Sequence, residues 1–191
     1  MFTAAIWGVA PDAGAADKQI RPFVGFTFAG DTTLTLNEAV GKVHATIGVN
    51  AAVLWDVFGI DVDVAHTPGF FQSGEPGELV LSSSVSTFTG NVVVGLPRKW
   101  TEYVLRPYVV AGGGIMHIRA EDQYQLLEIA RVKPTFDLGA GAMGFITRRV
   151  GVLWEIRRFQ TIGGGDELSG ISFGGEKLSF WRATMAVAIR Y

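Results

Sequence analysis

Cysteine is absent from this chain of 191 residues, which excludes disulfide scaffolds, thiolate metal sites and cysteine nucleophiles. Charge is scarce as well. Charged residues make up 18% of the sequence, against roughly 25% in an ordinary soluble domain. The 16 Lys and Arg are outnumbered by 18 Asp and Glu, so no basic excess exists to hold nucleic acid through its phosphates. Missing too is a run of about 20 apolar residues, the length a membrane-spanning helix requires. The longest charge-free stretch, Leu79 to Pro97, is broken by Ser82, Ser83, Ser84, Ser86, Thr87, Thr89, Gly90 and Asn91.

What is present is apolar. Hydrophobic residues reach 48% and glycine numbers 25, too apolar for a disordered chain. The length fits a single domain. The apolar residues recur at every second position between turn-like clusters, the signature of strands with two unlike faces. Eight such segments can be read: Ile20–Ala29, Val43–Trp55, Phe58–Thr67, Val85–Leu96, Tyr103–Arg119, Lys133–Thr147, Val150–Thr161 and Ser179–Tyr191. Only Leu126–Arg131 hints at helix. The connections alternate short and long, with Asp56–Val57, the stretch around Pro97–Trp100 and Arg148–Arg149 short. Such a rhythm sets the tight turns at one end of an up-and-down meander and the long loops at the other, and eight strands can close with no free edge.

The sorting of charges between the faces decides the environment. In the last segment Trp181, Ala183, Met185, Val187, Ile189 and Tyr191 share one face, while Phe180, Arg182, Thr184, Ala186, Ala188 and Arg190 share the other. Segment three sets Phe58, Ile60, Val62 and Val64 against Gly59, Asp61, Asp63 and Ala65, and segment one sets Pro22, Val24, Phe26 and Phe28 against Arg21, Phe23, Gly25, Thr27 and Ala29. A soluble barrel would turn its polar face to water and would need many outward Lys and Glu, which these segments lack. Apolar outside and small or polar inside is the pattern of a narrow lipid-embedded barrel. The fold class expected is therefore all-β, an eight-stranded antiparallel up-and-down transmembrane β-barrel spanning residues 20–191. Residues 1–19 form an N-terminal segment read as a possible signal remnant. Trp55, Phe58, Trp100, Tyr103 and Trp154 gather toward the short-turn end, and Trp181 and Tyr191 bracket the last strand, as amphipathic rings do at a membrane–water interface.

On these residues the chain resembles the small eight-stranded outer-membrane barrels that include the OmpA transmembrane domain, OmpX and OmpW. The terminal strand from Phe180 to the aromatic Tyr191 carries most of the likeness, with the Arg21-Pro22-Phe23-Val24 and Arg106-Pro107-Tyr108-Val109 strand starts and the alternation of Gly112 and Gly114 beside it. The resemblance implies residence in the bacterial outer membrane as a monomer, contact with outer-membrane lipids and lipopolysaccharide, and recognition of the terminal strand by the barrel-assembly machinery. The first ten residues depart from the family in lacking a basic start to a secretory signal. Ala13-Gly14-Ala15-Ala16 is similar to a small-residue cleavage site.

Chemistry has little foothold in the sequence. Lipid A deacylases of this size carry a His-x-Ser pair, and His44, His66 and His117 are followed by no such serine. His66 and His117 are expected on the outer face near the long-loop rim, and His44 inside. Gly112–Gly114 and Gly163–Gly165 lack the strand–helix setting of a phosphate cradle. Glu121, Asp122, Asp166 and Glu167 are at most a weak oxygen site for a divalent cation. No cofactor and no metal site is expected, and no catalytic residue.

The inward charges are the informative set: Arg21, Asp61, Asp63, Arg106, Asp137, Glu155, Arg157, Arg182 and Arg190. Most fall in the half of the barrel nearer the short turns. Opposite charges in so confined a space are expected to pair as a plug, with a gated pore the sharper alternative. The function expected is non-enzymatic, structural or that of a narrow channel with an ion-paired polar lumen. The alternatives are a soluble lipocalin-like calyx holding a lipid, and an outer-membrane enzyme that modifies lipid A.

Overall fold

The computed structural model describes residues 16–32, 42–72, 80–97, 105–122, 128–162 and 177–191. Every regular element among them is a strand: β1 (Asp17–Thr32), β2 (His44–Leu54), β3 (Phe58–Pro68), β4 (Val80–Gly95), β5 (Arg106–Asp122), β6 (Glu128–Phe145), β7 (Val150–Thr161) and β8 (Leu178–Arg190). Each pairs antiparallel with its sequence neighbour, and β1 pairs with β8 to close the barrel. The eight-stranded all-β class read from the alternation is what the chain adopts.

Several boundaries move outward. β4 begins at Val80 rather than Val85, and β5 and β6 extend to Asp122 and from Glu128. The helical hint at Leu126–Arg131 is corrected accordingly. Residues 128–131 pair with β5, Glu128 opposite Glu121 and Arg131 opposite Ile118, because a ladder to a long neighbour outweighs a weak local pattern. Leu126 and Leu127 lie outside the described residues.

β1 holds a second departure. Its register against β8 shifts between Phe28 and Asp31, and Ala29 has a φ of +48°. This is a bulge, one extra residue that reverses the alternation. Ala29, read as inward, is therefore exposed.

The short turns are locally encoded. The Trp55 amide donates to the carbonyl of Phe58 at 2.7 Å. At the β6–β7 turn the amides of Val150 and Arg149 donate to Thr147 Oγ1 at 3.0 and 3.3 Å, a hydroxyl replacing backbone partners. At the opposite end Gly69, with a φ of +68°, turns the chain off β3 so that Phe70 and Phe71 fold back over the barrel mouth. The Phe71 amide is held there by Ser83 Oγ at 2.9 Å.

The wall is thin where β4 meets β5. Gly114 faces inward, and a Cβ there would land on the carbonyl oxygen of Phe88 and the Cα of Thr89. Gly114→Val is expected to lower unfolding stability by about 2–3 kcal/mol through overpacking against backbone, measured as the urea midpoint of the protein in phosphatidylcholine vesicles. An unchanged midpoint would mean that the two strands can separate without cost.

Outside, the strands present a continuous apolar wall. Val24, Phe26, Ile60, Val62, Val92, Val109, Leu138, Ile156, Met185, Val187 and Ile189 are all exposed, Leu138 at 60%. So large an apolar surface is foreign to a soluble monomer.

Candidate functional site: the lumen

Alternate positions of opposed strands meet at the barrel axis. β3 and β7 stand on opposite sides of the closed sheet, and Asp61 and Asp63 on the first face Glu155 and Arg157 on the second. Arg157 is 1% exposed and forms the hub. Its Nη2 donates to Asp61 Oδ2 at 3.2 Å and to Glu155 Oε2 at 3.0 Å, its Nη1 donates to Asp137 Oδ2 at 3.2 Å, and its Nε donates to Glu155 Oε1. One guanidinium thus ties β3, β6 and β7 together. Its planar fork of five donors can serve several carboxylates at once, which an ammonium cannot do in the same plane.

Neighbours complete the layer. Asn91 Nδ2 donates to Asp61 Oδ1 at 2.6 Å, and the Tyr108 hydroxyl donates to Glu155 Oε2 at 2.8 Å. The Tyr108 ring reaches that carboxylate across Gly141, where a Cβ would collide with the ring and its hydroxyl. Arg182 Nη2 donates to Asp63 Oδ1 at 2.8 Å, and its guanidinium lies 4.6 Å from the centre of the Phe159 ring and 5.0 Å from that of Phe23. Asp63 Oδ2, Asp137 Oδ1 and both amide atoms of Asn50 are buried with no protein partner. Such atoms ordinarily take internal water.

The remaining inward charges sit nearer the short-turn mouth and are held differently. Arg21 is 2% exposed, yet no carboxylate bonds it among the described residues. Its Nε donates to Gln19 Oε1 at 2.9 Å and its Nη2 approaches Met143 Sδ at 3.9 Å. Gln19 Nε2 in turn donates to Asp17 Oδ2, which pairs with Arg190 at 2.7 Å. Arg190 also stacks on Phe145. Arg106 donates to the carbonyls of Leu96 and Asp56 at 2.8 and 2.6 Å, where it straps two short turns together. Asp17 was invisible to a reading that began the first strand at Ile20.

The lumen is not polar along its length. Leu54, Val93, Tyr108, Met143, Leu153 and Ala188 form a largely apolar layer between the Arg157 cluster and the short-turn mouth, with the guanidiniums of Arg21 and Arg106 set against it. Above the charges, Phe70, Phe71, Val85, Met116, Ile118, Phe159, Leu178 and Phe180 form a second one. The rings interlock there: Phe70 meets Phe180 edge-on at 5.1 Å, and Phe159 stacks on Phe180 at 5.3 Å. The Arg157 and Arg182 clusters are therefore a middle layer between two apolar ones.

Other residues singled out by sequence lie apart from the lumen. Trp55, Phe58 and Tyr191 are exposed at the short-turn end, while Trp154 is exposed four residues into β7, beside Met185 and Ala142. Trp181 is partly exposed near the opposite end, with the Arg158 guanidinium 5.6 Å over its ring. Trp100 and Tyr103 lie outside the described residues, as do Asp166, Glu167, Gly163–Gly165 and residues 1–15. No group of three or more metal-ligating side chains occurs among the described residues. His44 rests against Phe70 at 5.5 Å. His66 and His117 face outward, and His66 Nδ1 lies 2.9 Å from Ser86 Oγ on the next strand. A search for His-x-Ser within one strand misses that pair, since only register brings it together. No carboxylate contacts His66 among the described residues, and the strand amides around Ser86 are engaged in its ladders with β3 and β5. Among the described residues, neither the orienting acid nor the oxyanion donors of a hydrolase accompany the pair.

Comparison with solved structures places this fold. Over 92% of this chain and 97% of the other, it matches Neisserial surface protein A with a TM-score of 0.62 at 9% identity. OprG, an outer-membrane protein of Pseudomonas aeruginosa, matches with a TM-score of 0.61 at 12% identity, covering 93% of this chain and 96% of that one. The N-terminal β-barrel domain of OprF, also from Pseudomonas aeruginosa, matches with a TM-score of 0.54 at 15% identity, covering 92% and 97%. Neither a protein-family model nor any curated protein sequence matches the chain. What is shared is the eight-stranded barrel.

Proposed function

We propose that this chain is a non-enzymatic, non-conducting structural barrel of the bacterial outer membrane. The single observation that carries the reading is the order of layers inside it: a buried ionic cluster closed off on both sides by apolar side chains, within a wall whose exposed face is apolar. Ions crossing such a lumen would have to displace Phe180, Phe159, Leu54 and Met143 in turn, at sites 0–4% exposed. An eight-stranded barrel is just wide enough for side chains to fill. The exposed wall is the reverse of what a soluble lipid-carrying calyx needs, and it fits the lipid-facing band of an outer-membrane barrel. From Trp181 to Tyr191 the outward face of the last strand carries only apolar and aromatic side chains over ten residues, roughly 33 Å of strand. At a tilt near 40° this is about 25 Å, the height of the apolar band of such barrels. The apolar terminal strand β8 is the segment through which the barrel-assembly machinery would engage the chain, and the likeness to outer-membrane proteins supports the same placement.

Two measurements test this reading. The protein is expected to fractionate with outer membranes and to migrate differently in detergent gels before and after heating; recovery as a detergent-free soluble monomer would overturn it. In planar bilayers the wild type and Arg157→Ala are both expected to give flat traces, because the apolar layers stay in place when the hub is removed. Stepwise conductance in the wild type would make the lumen a channel.

A further inference from the structure

At the long-loop end of the outer wall, the apolar face gives way to a compact polar patch. His66 on β3, Ser86 on β4 and His117 on β5 are direct register partners on three adjacent strands. One pleat farther from the short turns, Arg119 is exposed on the same face of β5, opposite Ser84 of β4. Among the described side chains no carboxylate shares this face with them. One pleat toward the short turns the wall is apolar again, at Val64, Phe88 and Ile115. Beyond these lies Gly90, outward-facing between Val62 and Gly113, where a methyl group would meet open space. Gly90 belongs to a shallow depression bordered by Ala51, Ile60, Val62 and Val92.

We propose that this patch docks one outer-leaflet lipid whose headgroup carries a phosphate. Arg119 supplies a forked guanidinium suited to two phosphate oxygens. His117 flanks it with a ring N–H, the hydrogen-bonded His66–Ser86 pair offers one further donor, and the Ser84 hydroxyl adds another, with no competing acid among the described side chains. An acyl chain then runs down the wall over Phe88 into the depression at Gly90. From Ser86 to Val92 is roughly 20 Å along the strand, comparable to an extended acyl chain. The depression is what commits the site to a lipid rather than to a free anion, since soluble phosphate has no use for an apolar groove beneath it. This inference rests on the membrane placement proposed above.

The test uses the full chain folded into phosphatidylcholine vesicles doped with diphosphoryl lipid A or with its dephosphorylated counterpart, the bound lipid being counted by native mass spectrometry after extraction. The phosphorylated lipid is expected to be retained about tenfold better, the scale of losing charge-assisted hydrogen bonds. His66→Ala/His117→Ala/Arg119→Ala is expected to abolish that preference. Arg158→Ala, on a distant part of the wall, is expected to leave it intact. Equal retention of the two lipids, a preference that survives the triple substitution, or displacement by inorganic phosphate alone would each overturn the proposal. Should the triple variant fail to refold, His117→Gln and Arg119→Gln singly carry the same comparison, each with an expected loss of about threefold. Insertion of the wild type is scored separately by heat-modifiable migration. Failure to insert defeats the membrane reading itself, whereas insertion without lipid preference defeats only the headgroup site.

Discussion

Arg157→Ala is expected to lower the unfolding free energy by about 3–5 kcal/mol, the loss typical of removing one partner from a buried ionic cluster. Arg157 is hydrogen-bonded to Asp61, Asp137 and Glu155, so its removal leaves three buried carboxylates without the guanidinium that bonds them. Their mutual repulsion adds to the cost of burying them. The measurement is urea unfolding of the vesicle-embedded protein, compared with Arg157→Leu combined with Asp61→Asn, Asp137→Asn and Glu155→Gln. That neutral set removes cation and anions together and is expected to recover most of the loss, because a buried ion pair adds little over an uncharged replacement of similar shape. A loss below about 1 kcal/mol for Arg157→Ala would mean that water reaches the cluster and that the layers above and below do not exclude it.

Phe180→Ala is expected to cost a similar amount, about 3–5 kcal/mol, for a different reason. Phe180 is 2% exposed and contacts the rings of both Phe70 and Phe159. Truncation opens a void at the centre of the upper apolar layer, and barrel strands cannot collapse to fill it without breaking ladders. The cavity adjoins Phe159, on which Arg182 stacks, so water entering there would hydrate the Arg182–Asp63 pair. Phe180→Leu keeps most of the volume and is expected to cost clearly less, as volume-conserving exchanges do. The urea midpoints of the two variants make the comparison. Equal midpoints would show that the upper layer is loosely packed.

The sequence made the strands and their faces legible because parity is a local property: once Val187 and Ile189 point outward, Ala188 and Arg190 point inward. Parity says which way a side chain points and nothing about whether that side is wet. Alternation sets Phe180 on the face of Arg182, but nothing local distinguishes a polar lumen from one closed by rings. The bulge at Ala29 escaped for the same reason, since one inserted residue leaves the alternation on each side intact. The partners of Arg157 were named as inward charges, yet their meeting depends on the shear of the closed sheet, as does the His66–Ser86 pair. Arg21 and Arg106 show the converse: inward placement alone did not bring Arg21 to a carboxylate, nor keep Arg106 from turn carbonyls.

The ionic hub has one more consequence, which concerns time. Arg157 meets Asp61 across 96 positions of sequence, and Arg182 meets Asp63 across 119. Neither contact can exist while the chain is a set of hairpins. Both become possible only after the sheet has rolled far enough to bring opposite walls together, when most of the loop-closure entropy has already been spent. Interactions that form so late are largely absent from the folding transition state, and their loss acts on escape from the native state rather than on arrival there. The charge layer is in that sense a latch, set after insertion, and the lifetime of the finished barrel depends on it more than its birth does.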